Sequence, residues 1–141
     1  SQHLMSLGIP LNTDSTLKGQ TVFLAERCGE LMHDNIITDR TILDVMAFTL
    51  NAKSIPHQDK DAFETYASEF IREYDYIFYI SPHGLKIEDN GVRETDEHYR
   101  DLIDFTITTL IKRHGHKAGK IEKISGSTEE RIQQILNITS L

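Results

Sequence analysis

The chain is short of residues on which several classes of protein depend. Among its 141 residues there are no tryptophans, three prolines and a single cysteine, Cys28. One cysteine excludes an internal disulfide and a cysteine-based zinc site, and it favours the reducing cytoplasm as the compartment. No apolar run approaches the roughly 18 residues of a membrane span. The N-terminus also lacks the charged-then-apolar pattern of a signal peptide.

Positive charge is scarce as well. Lys and Arg total 15 against 22 Asp and Glu, which gives a formal net charge of −7. Nucleic acid and anionic membranes are therefore not favoured as partners. The hydrophobic content of 38% is ordinary for a soluble globular protein, and the length fits a single domain over residues 1–141.

The stretch of residues 35–44 carries the first functional signal. Two β-branched isoleucines predict a short buried strand over residues 35–38, which stops at Asp39. Arg40 follows, and apolar residues at helical spacing then predict a helix that Thr38 or Asp39 caps. An acid and an arginine at the carboxyl end of a strand lie where open α/β sheets bind ligands. The alternative is an N-cap aspartate beside a solvated arginine.

Two further strands are predicted at residues 75–80 and 120–124. The first is rich in aromatic and β-branched residues, and its nearly continuous apolar run is typical of a parallel strand covered on both faces. Helical patterns fill the intervals, including an amphipathic helix over residues 96–113. Strands separated by helices indicate an α/β fold, with a parallel sheet between two helical layers. Three strands make a thin sheet, which suggests that part of the fold is missing.

In their order, these segments resemble the P-loop nucleoside and nucleotide kinases, especially the AAA-type ATPase/kinase group that includes ribosylnicotinamide kinase domains. The matching pieces cover nearly the whole chain and are Gly8–Asn12, Ile37–Asp44, Tyr74–Ile80, Glu88–Arg93, Asp96–Arg100 and Ser125–Arg131. The resemblance implies a three-layer P-loop fold with a lid over about residues 83–100. One departure is large, because no G-x-x-x-x-G-K-[ST] phosphate loop is present. The chain looks like a family member without roughly its first 35 residues, judged by the length of a βαβ unit.

The resemblance implies roles for individual residues. Asp39 would hold Mg²⁺ or act as the base toward the substrate hydroxyl, and Arg40 would contact substrate phosphate. Arg93 matches a lid arginine, which neutralises charge on the transferring phosphoryl group. Asp44 and Arg100 are the candidates for substrate binding. For the arginines the alternative is a solvated surface position, and for Asp44 it is a cap.

Ser125, Gly126 and Ser127 are the candidates for nucleotide binding. They follow the last predicted strand, where related kinases wrap the adenine base with backbone groups. The alternative is a plain strand-to-helix turn in which Ser127 and Glu130 form a capping box. Both interpretations fit the residues and stay open at this point.

The functional prediction is ATP-dependent phosphoryl transfer to a nucleoside, nucleotide or similar small hydroxyl substrate, with ATP and Mg²⁺ as cofactors. Because the phosphate loop is missing, these 141 residues alone are not expected to turn over ATP. The alternative is a non-catalytic remnant of the fold, which binds a nucleotide or another protein. The oligomeric state stays open.

Overall fold

The computed structural model describes residues 14–82 and 94–140. Within these ranges the chain forms α1 (Leu17–Glu30), α2 (Ile42–Leu50), α3 (His57–Ser68), β1 (Tyr76–Ile80), α4 (Glu94–His114), β2 (Lys120–Ile124) and α5 (Thr128–Thr139). Short 3-10 helices, Glu69–Glu73 and Gly115–Lys117, precede the two strands. None of the helices in these ranges combines the length and the hydropathy that crossing a membrane requires.

Helix α2 is the centre of the hydrophobic core. The side chains that it buries are Ile42, Leu43, Val45, Met46, Ala47 and Thr49. Helices α1, α3 and α4 all pack against it. Full burial of a large aliphatic side chain contributes roughly 1.5–3 kcal/mol, so α2 holds the other three helices together.

Two buried or half-buried polar contacts fix how the helices meet around α2. The Gln20 amide of α1 donates to the Thr49 hydroxyl of α2 over 3.0 Å. The Asn51 amide, one residue beyond α2, donates to the Thr106 hydroxyl of α4 over 2.9 Å. A buried polar group without a partner costs about 1–3 kcal/mol, so these pairs disfavour other arrangements of the helices.

A carboxylate on α3 holds the end of α4. Glu64 accepts a hydrogen bond from Arg113 over 2.6 Å, and the His114 ring nitrogen lies 2.7 Å from the same carboxylate oxygen. Burial raises the pKa of Glu64, whereas the hydrogen bonds and charges of Arg113 and His114 lower it. The lowering effects together are larger, so the net pKa lies below its ordinary value. The basic last turn of α4 is thus tied to α3 by charge.

The two strands pair in parallel along their whole length, with Tyr76 opposite Lys120. The chain enters β2 through a close approach at Gly119, whose N–H donates to the carbonyl of Tyr74 over 2.9 Å. A Cβ atom on Gly119 would lie 2.5 Å from the carbonyl oxygen of Asp75. Glycine is therefore needed at this position for space.

The predicted three-layer P-loop fold is wrong. Strands β1 and β2 are present and parallel, but the sheet has two strands in the described residues, which are mostly helical. The predicted strand over residues 35–38 is absent. Ile36 is 40% exposed and Ile37 is 90% exposed, so neither side chain belongs to the core. Asn35 has a φ of 54°, and two isoleucines between turn-forming residues are too few to override that bend.

Candidate functional site

The candidate site is the loop of residues 38–41 that leads into α2, which we call the arginine turn. Thr41 is the N-cap of α2, and its hydroxyl accepts a hydrogen bond from a backbone N–H of the first helical turn over 3.1 Å. The Asp44 carboxylate accepts from the N–H of Thr41 over 2.7 Å, which completes a capping box. The cap is therefore Thr41, and neither Thr38 nor Asp39 fills the predicted role.

Arg40 has a left-handed backbone conformation, with a φ of 77°. That region costs a residue other than glycine roughly 1–2 kcal/mol, so neighbouring contacts must hold it. The Thr38 hydroxyl donates to the carbonyl of Arg40 over 2.9 Å. The Arg27 guanidinium donates to the carbonyl of Asp39 over 3.0 Å. Together with the capping box, these bonds fix the turn on both sides of Arg40, and strained residues fixed in this way cluster at functional sites.

The Arg40 side chain lies over the ring of Phe48, with its guanidinium carbon 5.8 Å from the ring centroid. Phe48 stacks in turn on Tyr99 of α4, with 6.1 Å between the ring centroids. Within residues 14–82 and 94–140, the Arg40 guanidinium takes part in no ion pair or hydrogen bond. The ring contact therefore orients the exposed guanidinium, and its N–H donors have no partner among the described residues, although the nearby Asp44 carboxylate interacts with its charge.

Arg27 is the second arginine at the turn, and acidic neighbours already neutralise it. Its guanidinium lies 3.1 Å from the Glu30 carboxylate and 3.5 Å from that of Glu26, besides its bond to the carbonyl of Asp39. These contacts make Arg27 a positioning residue for the turn. Sequence reasoning missed Arg27, and its spacing of three residues from Glu30 is the one signal that marks it as paired.

Asp44 and Tyr74 serve the start of α2. Burial raises the pKa of Asp44, whereas the hydrogen bond from Thr41 and two nearby arginine charges lower it, and the net pKa lies above its ordinary value. The Tyr74 hydroxyl accepts from the N–H of Ile42 over 3.1 Å, and burial raises the pKa of Tyr74 to about 12. Both side chains satisfy N–H groups that a helix leaves unpaired at its N-terminus. A substrate contact by Asp44 stays a prediction.

The Asp39 side chain is exposed at the turn. In the part of the chain that the structure describes, no three His, Cys, Asp or Glu side chains are grouped to hold a metal ion. Protein sites bind Mg²⁺ through one or two carboxylates, with waters and substrate phosphates completing the coordination. A contact between Asp39 and Mg²⁺ stays a prediction.

Arg100 lies on α4, one residue after the Tyr99 that stacks on Phe48. Its Nε atom and the Tyr99 hydroxyl are both buried, and neither has a hydrogen-bond partner among the described residues. Native proteins leave few buried polar atoms in this state. Arg93 lies outside the described residues, as does the rest of the predicted lid up to the start of α4 at Glu94. The lid and the role of Arg93 in it therefore stay predictions.

Ser125, Gly126 and Ser127 form a closed turn between β2 and α5. The Gln134 side-chain amide donates to the carbonyl of Ser125 over 2.7 Å and accepts from its N–H over 3.2 Å. Ser127 and Glu130 form a capping box, and Gly126 has a φ of 99°, which glycine adopts readily. Side chains of α5 thus occupy backbone groups that a bound adenine would need. Adenine binding at this turn stays a prediction.

The structure brings some of the predicted site residues together and separates others. Asp39, Arg40 and Asp44 lie in or beside the arginine turn, and a row of rings connects Arg40 to the first turns of α4. Between described residues, no hydrogen bond, ion pair or ring contact joins the arginine turn to the turn of residues 125–127. The two regions do not form one site through direct contacts.

No protein-family model matches the chain, and no curated protein or solved structure proves similar to it. The resemblance to P-loop kinases therefore rests on the order of its short motifs.

Proposed function

We propose that the chain binds a small molecule that carries phosphate groups, such as a nucleotide, at the arginine turn. The conformation of Arg40 supports the proposal, because its backbone is held in a strained conformation and the N–H donors of its oriented guanidinium are unpaired among the described residues. A guanidinium presents N–H donors in a fixed fork that matches two oxygens of a phosphate group. A ligand contact by the same residue would explain why the strain is retained.

Charge favours a small ligand over a polymer. The chain has a net charge of −7, which opposes the approach of a long polyanion. A hydrogen bond from the Arg40 guanidinium to the phosphate of a small ligand would act at short range, where the net charge matters less. Asp39, beside Arg40, would contact a Mg²⁺ ion that is bound to the same phosphates. The ion would supply charge neutralisation between the phosphates and the Asp39 carboxylate.

Phosphoryl transfer to a nucleoside or similar hydroxyl substrate is the catalytic extension of this proposal. It needs a phosphate loop to cradle the β and γ phosphates, and the sequence has no G-x-x-x-x-G-K-[ST]. We therefore expect binding without turnover from these 141 residues. Incubation of the purified chain with ATP, Mg²⁺ and a panel of nucleosides tests this, and robust phosphorylation would contradict it.

Calorimetric titration with ATP plus Mg²⁺, and with adenosine for comparison, tests the binding proposal. We expect ATP to bind more tightly than adenosine, since adenosine has no phosphate. Arg40→Ala should weaken ATP binding by about tenfold or more, because a hydrogen bond to a charged group contributes about 1.5–3 kcal/mol. Arg40→Lys should restore part of the affinity, because lysine keeps the charge without the fork.

Arg72→Ala is the matched control. Arg72 is also an exposed arginine, but it pairs with Glu69 and makes no contact with the arginine turn. Its replacement should leave ATP binding unchanged. Equal ATP affinities of the wild type and the Arg40→Ala variant, or equal affinities of the wild type for ATP and adenosine, would contradict the proposal.

A further inference from the structure

The two strands of the sheet differ in the charged residues that could protect an open edge. Strand β1, Tyr76–Ile80, has no charged residue, whereas β2 has Lys120, Glu122 and Lys123. Natural proteins protect exposed edge strands with charged residues, lysine in particular. β2 has this protection and β1 does not. Among the described residues, β1 pairs with β2 on one side, and no strand pairs with its other side.

The unprotected edge also has exposed apolar side chains beside it. Tyr76 is 40% exposed and Ile80 is 39% exposed, and both lie on the same face of β1 as Phe78. The rings of Tyr76 and Phe78 stack with 6.0 Å between their centroids and 3° between their planes. An uncharged strand with an open backbone and an ordered apolar row is suited to pairing with another strand.

We propose that β1 pairs with β1 of a second copy of this chain, antiparallel and centred on Phe78. Two-fold symmetry makes such a contact isologous, so that the same strand is used by both copies. Tyr76 then faces the partner's Ile80, Ile77 faces the partner's Tyr79, and Phe78 faces the partner's Phe78. Aromatic pairs and aromatic–β-branched pairs are those that stabilise antiparallel strands.

The sequence of β1 is self-complementary in this register, and the sequence of β2 is not. The same operation on β2 would place Glu122 opposite the partner's Glu122, and directly opposed like charges are destabilising. This difference selects β1 as the contact between the copies. The dimer would have a four-stranded sheet in the order β2, β1, partner's β1, partner's β2, and a sheet of this width is stable more readily than a two-stranded one.

Light scattering coupled to gel filtration tests the dimer directly. The chain has a mass of 16.2 kDa, and we expect twice that mass at high concentration, with dissociation on dilution. Because each copy has a net charge of −7, added salt should strengthen the association. A wild-type chain that stays at the monomer mass at every concentration and salt condition would overturn the proposal.

Two double variants test the register. In Tyr76→Lys/Ile80→Lys, like charges face each other at both ends of the strand pair, and we expect a monomer. In Tyr76→Lys/Ile80→Glu, each new lysine faces a glutamate of the other copy, and we expect a dimer. Equal masses for the two variants would overturn the antiparallel register centred on Phe78. Far-ultraviolet circular dichroism establishes that each variant is folded, and the wild-type mass decides for or against the dimer if neither variant folds.

Discussion

Replacement of Gly119 by alanine perturbs the close approach through which the chain enters β2. The added Cβ atom would lie 2.5 Å from the carbonyl oxygen of Asp75 and 3.2 Å from its carbonyl carbon. The obstacle is backbone, so no side-chain rotation relieves it. The hydrogen bond from the Gly119 N–H to the Tyr74 carbonyl holds the two segments together. The methyl group fits only if these segments move apart.

The expected cost follows from these contacts. Overpacking a well-packed position costs roughly 1–3 kcal/mol, and a rigid backbone obstacle points to the upper part of that range. Loss of the hydrogen bond between Gly119 and Tyr74 would add about 1 kcal/mol. We therefore expect Gly119→Ala to lower the free energy of unfolding by about 3 kcal/mol. For a chain of this length, that change lowers Tm by roughly 10 °C.

Gly29→Ala is the matched control for the same chemical change. Gly29 lies near the end of α1, and nothing is within 4 Å of a Cβ atom added there. Since alanine has the higher helix propensity, the free energy of unfolding should stay equal or rise by up to about 1 kcal/mol. Urea denaturation followed by circular dichroism measures both variants. If Gly119→Ala proves as stable as the wild type, the close approach between Gly119 and Asp75 is refuted.

Three further substitutions give predictions of defined sign. The free energy of unfolding of Arg40→Gly should be about 1 kcal/mol higher than that of Arg40→Ala, because glycine adopts a positive φ without steric cost. Equal free energies of unfolding in urea denaturation would argue against the left-handed conformation. The raised pKa of Asp44 stabilises the fold below the unfolded-state pKa of about 3.9, and this contribution is lost as pH rises through the folded-state value. The Tm of Asp44→Asn, measured relative to that of the wild type, should therefore rise between acid and neutral pH. A difference in Tm that stays constant with pH would contradict the raised pKa of Asp44. The pKa of Glu64 is lowered, so its contribution is present above the unfolded-state value and lost as pH falls through the folded-state value. Glu64→Gln should accordingly lower Tm at neutral pH, and its deficit should shrink in acid.

Long periodic segments of this chain could be predicted from its sequence. The predictions of strands at residues 75–80 and 120–124 and of a helix at residues 96–113 agree with the observed bounds to within two residues. The helix has apolar residues at helical spacing and the first strand is a nearly continuous apolar run, and these patterns decide the two conformations. Residues 120–124 have only two isoleucines, and their pairing with β1 along the whole strand fixes that segment. The strand predicted at residues 35–38 rests on two isoleucines alone, and the turn at Asn35 decides that segment.

The arginine turn could be predicted only in part. The spacing of Thr41 and Asp44 before an apolar run is that of a capping box, so the start of α2 was available from the sequence. The left-handed conformation of Arg40 was not, because it depends on a hydrogen bond from Arg27 that joins residues 12 apart in the chain. Contacts of this kind leave no periodic trace, and a local pattern cannot show them.

Helix α5 has consequences for the dynamics of the chain. None of its residues is buried, and the side-chain amide of Gln134 joins the helix to Ser125 by two hydrogen bonds. Its detachment would therefore uncover little apolar surface, and proteins open first where few buried contacts hold a segment. The backbone amides of α5 should exchange with solvent deuterium through local openings, at rates that depend weakly on urea. The backbone amides of α2 should exchange only through global unfolding. The native ensemble then includes a minor state in which α5 is undocked while the helical core around α2 stays closed.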